Sequence, residues 1–369
     1  MSDAAPRISV VIPAYNLADY LGAAIESVLE QTLDPELIDI CVVDDGSTDD
    51  TRAVVARYGR RVRYVHQENR GLPATRNAGV RATTAPLLAF LDADDRFRPE
   101  KFARELAILE EDSTAGIVYS GWQYIDAGGQ TLPQRGWSRE EGDVLPRLLL
   151  GNLIHPHAAI VRRELVEGVG GFDESLTSVE DWDLWLRISI AGGRWRAVDA
   201  PLLEYRVRDD GMHADAARML RNRIRVLEKT FAALARRPDL LALRSRAFQQ
   251  AYLEAACDHY RAGETERGAG AMREAVRHRP DLLTEPRALR QLCRLLLPLG
   301  WRNEQQVVSS WPTLGPIFHR MMAEAAGTDD PHVVTAALRR LNRWRVAGRY
   351  RRKYLTLGQN ASTSTPLPA

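Results

Sequence analysis

Two hydrophobic periods alternate along the first hundred residues. Short β-branched runs at 8–16 (ISVVIPAYN), 38–45 (IDICVVDD), 62–67 (VRYVHQ) and 86–95 (PLLAFLDADD) have the length and composition of buried strands. Between them, the spacing predicts helices over 17–32, from Thr48 or Asp49 to about Tyr58, over 72–83 and over 98–112. In 17–32, Leu21, Ile25, Val28 and Leu29 share one helical face, with Asn16 as the expected N-cap. Pro73 and Pro99 stand in first turns, where a missing amide is tolerated. Four strand–helix alternations predict a parallel sheet with helices on both faces. In such sheets a ligand lies beyond the carboxyl ends of the strands.

Acids gather at two of those ends: Asp44 and Asp45 in VVDDGST, and Asp92, Asp94 and Asp95 in LDADD. Past residue 113 the pattern loosens. Strands are expected over 116–126 and 157–165, the latter as a strand or strand–helix junction. An amphipathic helix is expected over 179–192, and a strand pair or extended segment over 194–207. From about 214 Ala, Leu and Arg dominate and strand signals vanish. This divides the chain into an α/β domain (1–213), an all-α accessory domain (214–358) and a small, polar tail (359–369). The stretch 251–283 resembles one tetratricopeptide-type hairpin or an ordinary helical pair, and no second copy follows at the 34-residue period a solenoid needs.

Composition narrows the class. With 369 residues, 45% hydrophobic and 27% charged, the chain is globular and long enough for two domains. A net charge of +1 excludes a general polyanion binder. Cys41, Cys257 and Cys293 lie far apart and predict neither a disulfide framework nor a zinc site, which fits a reducing compartment. The start, MSDAAPR, has no apolar core of a signal peptide, and no apolar run reaches the ~18 residues of a membrane span. A cytoplasmic protein is expected.

The acids point to chemistry. Mg²⁺ and Mn²⁺ prefer carboxylate oxygen, and Mg²⁺ commonly bridges carboxylates to substrate phosphates. LDADD suits that task, and it suits helix capping as well. VVDDGST reads as an Asx-turn into a helix, or as a carboxylate offered to a base edge or ribose.

Together, SVVIPAYN, VVDDGSTDDT, ENRGLPATRNAG, AFLDADD and GGFDESLTSVEDWDLWLRI resemble family 2 glycosyltransferases of the GT-A fold, over residues 7–210. The resemblance implies a Rossmann-like, mostly parallel sheet and inverting transfer of a sugar from a nucleotide diphosphate donor. It places Pro13, Ala14 and Tyr15 around the nucleobase, with core packing as Tyr15's alternative. Asp45 falls at the base edge, Asp44 toward the ribose, and Arg76 near the nucleotide. Asp92 and Asp94 match the D-x-D pair, Asp94 as the direct ligand of Mn²⁺ or Mg²⁺ and Asp92 facing the ribose. Asp95 is a supporting residue or a cap.

Asp181 matches the catalytic base, which takes the acceptor hydroxyl's proton as its oxygen attacks in line. An acid at a helix N-terminus normally stays ionised; helix capping after Ser178 is the alternative for Asp181 and Glu180. Glu180, Trp182 and His157 are acceptor-side candidates, with Trp182 or Trp185 expected to line the sugar and the other to be core.

The match thins at EYRVRDDGMHAD (204–215). Arg206 fits a basic residue at the diphosphate, Arg208 stands where a histidine is common, and His213 comes later. His155 and His157 are further candidates for the third metal ligand, or structural histidines. No Q-x-x-R-W motif marks a processive synthase, and no G-x-G-T-R-type loop marks a nucleotidyltransferase.

The expected partners are a nucleotide-diphosphate sugar, by default a UDP-sugar, and a glycan or lipid-linked acceptor in cell-surface polysaccharide or glycoconjugate synthesis. The basic stretch 338–354 is a docking face, a solvated helix or a peripheral contact with the inner face of the plasma membrane. No feature favours nucleic acid. The competing class is an inactive GT-A scaffold that works through its helical region, against which the retained Asp45, Asp94 and Asp181 stand.

Overall fold

The computed structural model describes residues 5–133, 137–208 and 215–279. Contacts divide the chain into two units, Met1–Leu243 and Arg244–Ala369. The first holds a sheet built on β1 (Ile8–Ala14), every residue of which is buried. After β1 come α1 (Ala18–Leu29), β2 (Ile38–Asp44), α2 (Thr51–Ala56), β3 (Val62–His66), α3 (Leu72–Ala82) and β4 (Leu87–Phe90). Then follow β5 (Arg96–Phe97), α4 (Lys101–Glu111), β6 (Ala115–Ile125), α5 (Leu145–Leu148), β7 (Ala159–Arg162), α6 (Arg163–Gly168), α7 (Glu180–Ile190) and β8 (Arg194–Arg206). The unit closes with α8 (Ala216–Ala233) and α9 (Pro238–Leu241).

The strand order is β3-β2-β1-β4-β7-β6-β8-β5. The first four strands run parallel, with Ile8 opposite both Ile38 and Leu87. β7 enters antiparallel between β4 and β6, β8 returns parallel to β6, and β5 closes the edge antiparallel to β8. The result is the mostly parallel sheet with helices that the alternation predicts. Helix and sheet meet without slack: a Cβ on Gly79 of α3 would lie 2.2 Å from Val11 Cγ1 of β1.

Several boundaries differ from those expected. The run 86–95 stops pairing at Phe90, and Leu91–Asp95 leave the sheet in a turn closed by the Asp95 amide on Asp92 O (3.0 Å). The expected strand 157–165 is a 3-10 turn at Pro156–Ala158, four strand residues and then α6. The segment 194–207 is one strand, bent where its register on β6 shifts.

Asn16 does not cap α1. It adopts φ 52° and accepts from the Thr48 amide (2.8 Å), while Asp49 takes the Ala18 amide of α1 and the Thr51 amide and hydroxyl of α2. One carboxylate thus serves the starts of two helices. The first unit also runs past residue 213, because α8 packs on α7.

In the second unit, α10 (Arg244–Arg261) and α11 (Thr265–His278) form a helical hairpin joined by three residues. The hairpin thus starts earlier than 251. Among the described residues no helix is long and apolar enough to cross a membrane. Residues 338–354, the tail 359–369, Cys293 and His213 lie outside the described residues.

Candidate active site

The site lies at the carboxyl ends of β1, β2 and β4, where α7 and the end of β8 meet them. Pro13 and Ala14 are buried, whereas the Tyr15 side chain is 49% exposed. Tyr15 is therefore not core, and its ring is open to a ligand.

The two acids after β2 are satisfied by their own chain. Asp44 accepts from the Ser47 amide (2.8 Å) and the Tyr64 hydroxyl (2.5 Å). Burial, and then Asp44, push the Tyr64 phenol up to about 12, so it stays a donor. Asp45 accepts from Gln67 Nε2 (2.6 Å) and from the amides of Arg70 and Gly71 (2.9 Å each). It thereby anchors the chain leading into α3. Gly46 has φ 82°, and a Cβ there would lie 3.0 Å from the Asn69 amide of that same segment. The glycine is required because the 67–71 segment passes directly against it.

The acids after β4 behave oppositely. Asp92 Oδ1 accepts from Arg76 (2.7 Å), and Asp92 Oδ2 lies 3.3 Å from His157 Nδ1. Asp95 accepts from the Arg206 amide (2.7 Å) and faces His157 Nε2 at 3.2 Å. Asp94, expected as the direct metal ligand, lies 3.2 Å from Arg208. Among the described residues, the metal-type cluster that the structure assembles is Asp92, Asp95 and His157, whose ligand atoms lie within 4.8 Å of one another.

Burial raises Asp95, and the charges of Asp94 and Asp92 raise it further. Burial and Asp92 raise Asp94 as well. Burial also acts against ionised Asp92, but Arg76 and His157 outweigh it and hold that carboxyl well below its ordinary range. His157 is buried with neither ring nitrogen in a well-formed hydrogen bond. Crowded carboxylates around a buried imidazole whose nitrogens make no well-formed hydrogen bond fit a divalent cation better than they fit one another.

His157 owes its position to the 3-10 turn. Buried Lys101 of α4, paired with Glu105 (2.6 Å), donates to Ala158 O (3.0 Å), as does Ser120 of β6 (3.3 Å). Tyr205 of β8 packs on the rings of His155 (4.4 Å) and His157 (5.4 Å), and Trp122 meets His155 at 5.0 Å. The sequence did not single out Trp122 or Tyr205, which with His155 build a part-exposed aromatic wall beside the acids.

α7 brings three acids in its first turn, and helical geometry sends each to a different neighbour. Glu180 pairs with Arg76, which is 1% exposed and so bridges Glu180 and Asp92. Asp183 is buried against Arg187 (2.7 Å) and Lys229 (2.5 Å).

Asp181 points elsewhere. Its Oδ1 accepts from the Trp182 amide (2.7 Å) and its Oδ2 from Asn152 (2.8 Å), an exposed residue after α5. Asp181 does not keep an ordinary carboxylate pKa as its helix position suggested. Burial, with the Glu180 charge next, pushes it up to about 7, against the pull of Arg76.

Glu180, through Arg76, and His157 thus both face the acid cluster. Trp182 is buried with its indole N–H on Leu148 O (2.8 Å), and Trp185 is core. The Arg206 guanidinium is taken by the carbonyls of Asp94, Asp126 and Ala127 (2.7–2.9 Å). In the segment between β6 and α5, residues 134–136 are outside the described residues, while Trp137 packs on Gly121 of β6.

The profile of glycosyl transferase family 2 matches residues 9–170. An uncharacterized glycosyltransferase of Rickettsia prowazekii is 35% identical over 187 residues, 49% of this chain and 58% of that protein. One of Nostoc sp. is 31% identical over 226 residues, 57% of this chain and 68% of that protein. The chondroitin synthase of Escherichia coli is 31% identical over 51% of this chain and 27% of its own length. This chain therefore spans little more than half of the Rickettsia protein and about a quarter of the chondroitin synthase.

Two solved structures share the fold. Residues 1–349 of S. aureus TarS in complex with UDP-GlcNAc align at a TM-score of 0.56 and 16% identity, over 88% of this chain and 91% of that one. The mannosyltransferase PcManGT of Pyrobaculum calidifontis, in complex with GDP-Man and Mn²⁺, aligns at 0.52 and 19% identity, over 89% and 88%.

Proposed function

This chain belongs to glycosyl transferase family 2, and we propose that it moves a hexose from a nucleotide-diphosphate donor to a hydroxyl of a glycan or lipid-linked acceptor, with inversion. A UDP-sugar is the first candidate donor, and cell-surface polysaccharide or glycoconjugate synthesis the setting. The observation that carries this reading is the placement of Asp181. It stands on a helix start beside the acid turn, and its pKa of about 7 lets it switch between base and acid near neutrality.

In the reaction, Asp181 takes the acceptor hydroxyl's proton as that oxygen attacks the anomeric carbon. The bond from that carbon to the diphosphate oxygen breaks with its electrons going to the diphosphate. Asn152 holds the Asp181 carboxylate by one oxygen, leaving further lone pairs for the proton. Tyr15 stacks on the nucleobase, and the ordered 67–71 segment built by Asp45 forms the nucleotide's floor. Arg76 fixes Asp92 relative to the start of α7. Asp92, Asp95 and His157, with Asp94 beside them, would hold Mn²⁺ or Mg²⁺, which when bound offsets the charge of the departing diphosphate. The acceptor lies between the Asp181 region and the segment 127–142.

Calorimetric titration of UDP, GDP, dTDP and CDP into the protein, with Mn²⁺ and then with EDTA, tests this. Binding of one nucleotide that weakens with EDTA is expected. Failure of all four to bind would move the working surface to the helical region, as in a scaffold.

A further inference from the structure

The family profile ends at residue 170, short of both α7 and α8. Composition alone assigns α8 to an accessory domain, yet it lies along the segment that delivers Asp181. Asn222, Arg225 and Lys229 follow one another at three- and four-residue steps and share a face. Lys229 reaches Asp173 (2.8 Å) and Asp183 (2.5 Å), and Arg225 donates to the carbonyl (3.1 Å) and hydroxyl (2.9 Å) of Ser175.

Asn222 is different in kind. It is 8% exposed, and its amide nitrogen, with two N–H donors, is within hydrogen-bond distance of Thr177 Oγ1 and Ser178 Oγ (2.9 Å each) and, further off, of Arg218 O (3.2 Å). Asparagine is a poor residue for a helix interior, so its presence mid-helix calls for a tertiary role.

The residue after Ser178 supplies that role. Val179 has φ 55° and ψ 24°, the left-handed region, which a β-branched side chain strongly disfavours. Such a conformation persists only where its surroundings impose it. Val179 is the last residue before α7, so its backbone sets the direction in which that helix starts. Asp181 is two residues on.

Resting on the reading of Asp181 as the base, we propose that Asn222 is a positioning residue for sugar transfer: it clamps Thr177 and Ser178, holds the left-handed turn at Val179, and so aims Asp181 at the acceptor oxygen. Helix α8 is by this account a working part of the catalytic unit.

The test uses the full chain with Mn²⁺. The readout is release of nucleoside diphosphate, with water or added glycan and lipid-linked hydroxyls as the acceptor, from whichever of a panel of UDP-, GDP- and dTDP-sugars the wild type consumes fastest. Displacing a reacting group by about 1 Å costs on the order of a hundredfold. Asn222→Ala should therefore lower kcat by roughly ten- to a hundredfold, with donor KM nearly unchanged and the neutral-pH rise of kcat displaced.

Ser178→Ala should lose kcat in the same sense, and the double variant should lose little beyond the larger single loss, because both break one clamp. Additive losses, or an Asn222→Ala protein that melts earlier but keeps kcat and its pH profile, would overturn the proposal. Should Asn222→Ala not fold, Ser178→Ala leaves α8 intact, and a wild-type kcat there would overturn it equally. A wild type that binds nucleotide but consumes no sugar nucleotide would refute the transferase reading itself, and the proposal with it.

Discussion

The end of β2 and the end of β4 both carry adjacent acids, and the two ends use them in opposite ways. After β2, Asp44 and Asp45 are surrounded by donors: the amides of Ser47, Arg70 and Gly71, the Tyr64 hydroxyl and the Gln67 amide. After β4 and at the start of α7, carboxylates face carboxylates, and Asp94, Asp95 and Asp181 are all pushed upward. The first group builds a surface. The second group stores a charge problem that a cation or a proton relieves. Residue type and strand-end position do not separate the two groups; the neighbours do, hydrogen-bond donors around Asp44 and Asp45 and other carboxylates around Asp94, Asp95 and Asp181.

Substitutions should sharpen that contrast. The largest effect is expected at Asp181. Asp181→Asn should lower kcat by about 10²–10⁴-fold while leaving nucleotide affinity near wild type. In the wild type, kcat should rise with pH through about 7, because the raised carboxyl is ionised only above that value. Asp181→Asn should flatten that rise, as a pH series of initial rates would show. A retained rise would assign the base elsewhere.

The metal comes next. A cation that binds the folded state at a hundred times its Kd adds about 2.7 kcal/mol of stability. Mn²⁺ should therefore raise the melting temperature over EDTA, and the rise should shrink as the pH falls, since Asp95 must lose its raised proton to bind. Asp95→Asn or His157→Ala should abolish the shift, whereas Asp94→Asn should reduce it less. The reverse order would restore Asp94 as the principal ligand.

At the other strand end, Asp45→Asn keeps the shape but turns an amide toward N–H donors. Hydrogen bonds to a charged acceptor contribute about 1.5–3 kcal/mol each. A loss of about 2 kcal/mol in urea unfolding is expected, with donor affinity falling more than kcat. If kcat fell more than affinity, the contrast between the two ends would not hold.

The smallest effect belongs to Asn152. Removing one hydrogen bond to the Asp181 carboxylate disfavours its charged form, so Asn152→Ala should move the kcat rise upward by about one pH unit.

The parallel half of the sheet was legible because its strands are consecutive β-branched runs: β1, β2 and β3 pair in sequence order, and β4 crosses back to pair with β1. The motif acids were legible for the same reason. β7 was harder: four residues between a 3-10 turn and a helix leave little periodicity, and their place between β4 and β6 is set by pairing that no local pattern encodes. His157 was visible as a candidate ligand, but its pairing with Asp95 rather than Asp94 depends on where Phe90 stops pairing.

Trp182 looked like an acceptor residue from its place in the motif, yet its indole is spent on Leu148. Asn152 and Asn222 could be read only from contacts spanning 29 and 44 residues. Asp183 did leave a trace, the i,i+4 spacing to Arg187, which marks an acid committed to structure.

Arg76 joins the acid turn after β4 to the start of α7 through one buried guanidinium, shared by Asp92 and Glu180. Each acid is thus part of the other's environment. A change at Asp92 alters the cation that Glu180 sees, and a change at Glu180 alters the one that Asp92 sees. In an evolving lineage the two positions behave as one character: a mutation at either is judged against the state of the other.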